Sequence, residues 1–144
     1  MNLKLQRTSV SSLVDTASLG GFNAFEDADV VCIREKYSFL IWREHESKSL
    51  RFYYHFSDLN LSDFEVQNLI LKINNKLRTS DAYSDAYSNN QRDKDSNLAI
   101  HIENKFDDTV DNRDNICTLI SHFQEDIDIA HQCHKEHFGI IEKI

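Results

Sequence analysis

The stretch Asp29-Val30-Val31-Cys32-Ile33-Arg34-Glu35-Lys36-Tyr37-Ser38-Phe39-Leu40-Ile41-Trp42-Arg43-Glu44, continued after a polar break by Ser49-Leu50-Arg51-Phe52-Tyr53-Tyr54-His55-Phe56, decides the fold. β-branched and aromatic residues crowd into three short runs, Asp29 to Arg34, Tyr37 to Glu44 and Ser49 to Phe56, and such residues fit a pleated surface better than a helix. The breaks Glu35-Lys36 and His45-Glu46-Ser47-Lys48 are polar and short. Connections of that length join antiparallel neighbours, so the expectation is a meander.

These runs are apolar on both alternating sets. Phe39 and Ile41 point one way while Leu40 and Trp42 point the other, and Val30 to Ile33 repeats the pattern. A sheet covered by helices on one face needs only one apolar set. The second set therefore meets a partner chain, a second protomer or the chain's own N-terminal helix, and Val30, Cys32, Leu40, Trp42 and Tyr53 are the candidate partner-binding residues.

Working outward, Val10, Leu13, Val14 and Ala17 recur at helical spacing behind Thr8-Ser9, which offers an N-cap, and Gly20-Gly21 ends that helix. Ser62-Asp63-Phe64-Glu65 fits the capping box that opens a helix carrying Val66, Leu69, Ile70, Ile73 and Leu77, expected to end near Arg78-Thr79. Asp81-Ala82-Tyr83-Ser84 repeats at once as Asp85-Ala86-Tyr87-Ser88, and its alternation permits a weak edge strand leading into the polar turn Asn89 to Asn97. Leu98, Ile100 and Ile102 alternate with Ala99, His101 and Glu103 as a half-buried strand. The acidic Asp107 to Asn115 lacks the glycine and closing glutamate of a calcium loop and reads as a helix cap. Ile116, Leu119, Ile120, Phe123, Ile127 and Ala130 form the stripe of a last amphipathic helix, with Phe138 to Ile144 docking on the body or fraying. The fold class expected is α+β, an antiparallel sheet of four to five strands with an N-terminal helix and two longer helices, as a single domain of 144 residues.

The totals narrow the function. Net charge −8 and a sequence pI near 5.3 repel phosphate backbones and anionic membranes, so neither nucleic acid nor a membrane is the expected partner. No window approaches the roughly 18 apolar residues of a spanning helix, and the N-terminus lacks an apolar signal stretch, so a cytoplasmic protein is expected. Cys32, Cys117 and Cys133 contain no Cys-x-x-Cys pair and read as reduced thiols. Glycine stands only at 20, 21 and 139, which excludes phosphate-binding loops, and no nucleophile elbow occurs. His131, Cys133, His134 and His137 are the one metal-like cluster; helical spacing can align two of them, but no second element points to further ligands, so no metal or other cofactor is expected.

The element order is similar to that of the YbjN family, which shares the fold of the class I type III secretion chaperones. The likeness rests on Gly20-Gly21-Phe22, the strands Ser38-Phe39-Leu40-Ile41 and Leu50 to Phe56, the helix Val66 to Asn74, the strand Leu98 to Glu103 and the helix Asn115 to Ile127, and it covers about Val10 to Phe138. The segment Tyr87 to Asn97 is longer than the tight acidic turn usual in that family. The resemblance implies a non-enzymatic bacterial protein, often homodimeric, described as a sensory or stress regulator, with no catalytic residues. Two expectations follow: a module that binds an extended protein segment against its apolar strands, or a small-ligand sensor with an internal pocket lined by Phe39, Trp42, Phe52 or Tyr54.

Overall fold

The structure is a computed structural model that describes residues 10–56, 62–84 and 99–143, with side chains to residue 136. The proposed N-cap Thr8-Ser9, the second tetrapeptide, Asn89 to Asn97, Leu98, the His137 side chain and the Phe138 to Ile144 side chains lie outside the described residues. Among the described residues the elements are α1 (Val10–Leu19), β1 (Ala24–Asp27), β2 (Val30–Arg34), β3 (Ser38–Glu44), β4 (Ser49–Phe56), α2 (Asp63–Lys76), β5 (Asp81–Ser84), β6 (Ile100–Asp107), α3 (Val110–Asp114) and α4 (Ile116–Lys143). The class is α+β, with a six-stranded antiparallel sheet in the order β1-β2-β3-β4-β6-β5.

The three central strands fall within a residue of their expected bounds. Two elements were not expected. β1 precedes them, joined to β2 by a two-residue turn in which Ala28 (φ 49°) and Asp29 (φ 64°) are both left-handed. This is the backbone a tight hairpin needs, here supplied without glycine or asparagine in the first place. α3 is a single short helix capped by the Thr109 hydroxyl, which accepts from Asn112 N at 3.1 Å. β6 runs on to Asp107, past the expected Glu103. α2 stops at Lys76, two residues before the expected Arg78-Thr79, with Leu77 turning extended as its C-cap.

Contacts divide the chain into two compact units, residues 1–54 with 104–125 and residues 55–103 with 126–144. In the first, Val31, Ile33, Phe39, Ile41, Leu50 and Phe52 fill one sheet face, and Leu13, Ala17, Ile116, Ile120 and Phe123 are buried with them. Phe123 stands edge-on to Phe39 at 5.0 Å, which places α4 on that face. α1 is on the same face: Ser11 Oγ donates to Glu26 at 2.9 Å, Glu26 pairs with buried Val31, and the Cys117 thiol donates to Thr16 O at 3.5 Å. The helix ends in the expected glycines, with Gly21 at φ 95° and Phe22 N bonding Ala17 O at 3.1 Å. Arg43 donates to Asp108 at 2.7 Å, and Arg113 approaches the other carboxylate oxygen at 3.3 Å, so two guanidinium groups bracket one largely buried charge.

In the second unit, Val66, Leu69, Ile70 and Ile73 of α2 are buried with Phe56, Ala82, Ile100, Ile102, Ile127 and Ala130. The capping box forms as expected: Glu65 N donates to Ser62 Oγ at 3.2 Å, and Ser62 N to Glu65 Oε1 at 3.3 Å. β5 is the edge strand that the first tetrapeptide permits.

Candidate functional site

Cross-strand partners share a face, so the register of the first unit can be read as rows of side chains. Phe25 pairs with Cys32, Cys32 with Leu40, and Leu40 with Tyr53, giving one unbroken row across β1, β2, β3 and β4. Cys32, Leu40 and Tyr53 alternate with buried residues of the core, and Phe25 shares their face through its pairing with Cys32, so the row lies on the face opposite α1 and α4. Val30 and Trp42 have the same parity. Three strands, β2, β3 and β4, thus bring the five residues Val30, Cys32, Leu40, Trp42 and Tyr53 onto one surface. Of the three coverings considered for it, the N-terminal helix is removed: α1 packs on the other face.

The row is apolar and partly open. Leu40 and Phe25 are each 37% exposed; Cys32, Trp42 and Tyr53 are half-buried. Trp42 and Tyr53 lean together with centroids 6.2 Å apart. Arg34 lies 5.0 Å over the Phe25 ring, and the Arg51 and Glu44 side chains pair beside Trp42. Burial and the neighbouring Asp27 push the Cys32 thiol pKa up, with Arg34 opposing, which favours the neutral, apolar form of the side chain.

Phe25 is the member that sequence reading missed. The signal was the alternation of Ala24 and Glu26 with Phe25 and Asp27; it was hidden because the turn that follows contains no glycine.

Of the residues grouped for an internal pocket, Phe39 and Phe52 come together and Trp42 does not. Phe39 and Phe52 belong to a packed ring cluster in which Phe52 meets Phe106 at 5.3 Å and Phe123 at 5.5 Å. Trp42 projects from the opposite face of β3. Tyr54 packs edge-on to Tyr37 at 5.9 Å, and burial, with Tyr37 beside it, pushes its pKa up to about 12.

Of the histidine cluster of α4, His131, Cys133 and His134 have described side chains. His131 and His134 lie against the Phe56 ring, at 4.3 and 5.2 Å. Cys133 is buried beside Lys72, Asn75, Lys76 and Glu136, which line a groove of about 270 Å³. Burial is the largest influence on its thiol and raises the pKa. Among the described residues no three His, Cys, Asp or Glu side chains are gathered as a metal ion would require. Among them too, no helix is long and apolar enough to cross a membrane.

A six-stranded antiparallel sheet with helices packed against it makes this an α+β protein. Within that class the chain is similar in fold to YbjN of E. coli, described as a proposed transcription regulator. The two share 13% identity over 83% of this chain and 86% of that one, with a TM-score of 0.60. No protein-family model matches the chain, and no curated protein matches it.

Proposed function

We propose that the chain is a YbjN-like, non-enzymatic protein-binding module whose apolar row Phe25, Cys32, Leu40 and Tyr53, with Val30 and Trp42 beside it, holds an extended segment of a partner protein. The observation that carries this reading is the register itself: four cross-strand partners give a continuous apolar strip on the face turned away from α1 and α4. The occupant is a segment with apolar side chains at alternate positions and basic ones between them. Its apolar set lies along the row. Its basic set answers a chain of net charge −8, with Glu26, Asp27 and Asp29 at the β1 edge. The regulation attributed to YbjN enters here by analogy of fold alone, and in this chain it acts through protein contact rather than DNA, whose phosphates the acidic surface repels. The bacterial setting that the resemblance implies and the cytoplasmic one expected from the sequence belong to the same reading.

Selection from a random peptide library on the immobilised protein tests the proposal. Alternating apolar and basic peptides that bind the wild type and not Leu40→Glu support it. Recovery of peptides without apolar positions, or equal binding to Leu40→Glu, contradicts it. Sedimentation of the wild type alone separates the remaining occupant: a dimer that Leu40→Glu dissociates assigns the row to a second copy of this chain.

A further inference from the structure

The tetrapeptide repeat is wider than four residues, because a serine precedes the first copy: Ser80-Asp81-Ala82-Tyr83-Ser84 and Ser84-Asp85-Ala86-Tyr87-Ser88 are the same five residues sharing Ser84. The first copy, which contains β5, is held at four points. Ser80 Oγ donates to Oδ2 of buried Asp126 at 2.5 Å. Both main-chain groups of Ala82 bond to the Asn74 side chain, N to Oδ1 at 2.8 Å and O from Nδ2 at 2.9 Å, while its methyl is buried in pairing with Ile102. The Tyr83 ring stacks on His101 at 5.1 Å, and its hydroxyl donates to Glu103 at 2.7 Å. Ser84 Oγ accepts from Gln67 Nε2 at 3.0 Å.

Every side chain read at these points recurs four residues later. The shift is even, so each keeps its face of the sheet. Arg78 N, which reaches Asp126 at 3.5 Å, has its counterpart in Ala82 N, since any non-proline residue supplies that donor. We infer that the slot on the free edge of β6, walled by Gln67, Asn74, His101, Glu103 and Asp126, takes either copy: the strand can be drawn through it by one repeat, with Ser84 to Ser88 replacing Ser80 to Ser84 at all four points. The shift lengthens the connection from α2 by four residues and shortens the connection to β6 by the same number. Loop-closure entropy then separates the two registers by only about twofold. The sheet edge is paired in either register, so the strand is a slide that transfers chain from one arm to the other.

Charged substitution of each slot alanine decides the matter, read by hydrogen exchange of the β6 amides that bond to β5. Ala82→Asp should keep their protection by adopting the second register. Ala86→Asp should match the wild type, and the double variant should lose protection. In Ala82→Asp the His101 ring resonances should respond to Tyr87→Ala and no longer to Tyr83→Ala. If Ala82→Asp alone loses protection as far as the double variant, or fails to fold, the strand has one register and the inference is overturned. A double variant that stays protected overturns it as well, because the slot then does not read the repeat.

Discussion

At the scale of single residues, the sharpest test of packing is Gly20. A Cβ placed there would run into the Cys117 thiol, so Gly20→Ala forces a short, hemmed-in side chain to move. Overpacking of this kind costs roughly 1–3 kcal/mol, and Cys117→Ala, by removing the sulfur, should restore most of it in the double variant's melting temperature. Ala28 makes the opposite case. It holds φ 49° in the β1–β2 turn, so Ala28→Gly or Ala28→Asn should raise stability by about 0.5–1 kcal/mol in a urea titration. Tyr54 gives a pH signature. Its pKa of about 12 in the folded chain lies above the ordinary value near 10, so the folded state favours the neutral phenol. The stability tied to that neutral form is complete below about pH 10 and is lost as the pH rises towards 12. An absorbance titration of the tyrosinate band should show one of the five tyrosines ionising late, and Tyr54→Phe should remove both the late step and that part of the alkaline destabilisation.

At the scale of elements, what the sequence made legible followed from how local each signal is. The capping box at Ser62 and the Gly20-Gly21 stop are complete in a few residues, and both formed. Ser62→Ala should therefore cost about 1 kcal/mol and fray the first turn of α2, measurable by amide exchange. β2, β3 and β4 were legible because their residue types and short polar breaks agree with each other. β1 was not, because its turn uses Ala28-Asp29 with no glycine or asparagine to mark it, and because a four-residue strand has little periodicity to read. The extension of β6 to Asp107 was hidden by Asn104 and Lys105, polar residues in a strand end. α4 continues to Lys143, beyond the apolar stripe that marked it, since the stripe reports burial and not the end of the helix.

At the scale of the whole molecule, five of the six members of the apolar surface were readable from alternation alone, without knowledge of strand order. What alternation could not supply was register. Only pairing shows that Phe25, Cys32, Leu40 and Tyr53 form one row, and only the position of α1 shows that this helix does not cover it. Within the second unit, His55 and Tyr83 flank the buried His101 ring at 5.2 and 5.1 Å. Trp42 is the chain's single tryptophan, so the proposed row contains its own reporter. Titration of the wild type with an extended peptide that alternates apolar and basic residues, followed by Trp42 emission, tests the central claim most directly. A saturable blue shift that is abolished by Leu40→Glu, while the circular dichroism of that variant stays native, is the predicted result. Binding of the same peptide with unchanged Trp42 emission, or with equal affinity for Leu40→Glu, would contradict it.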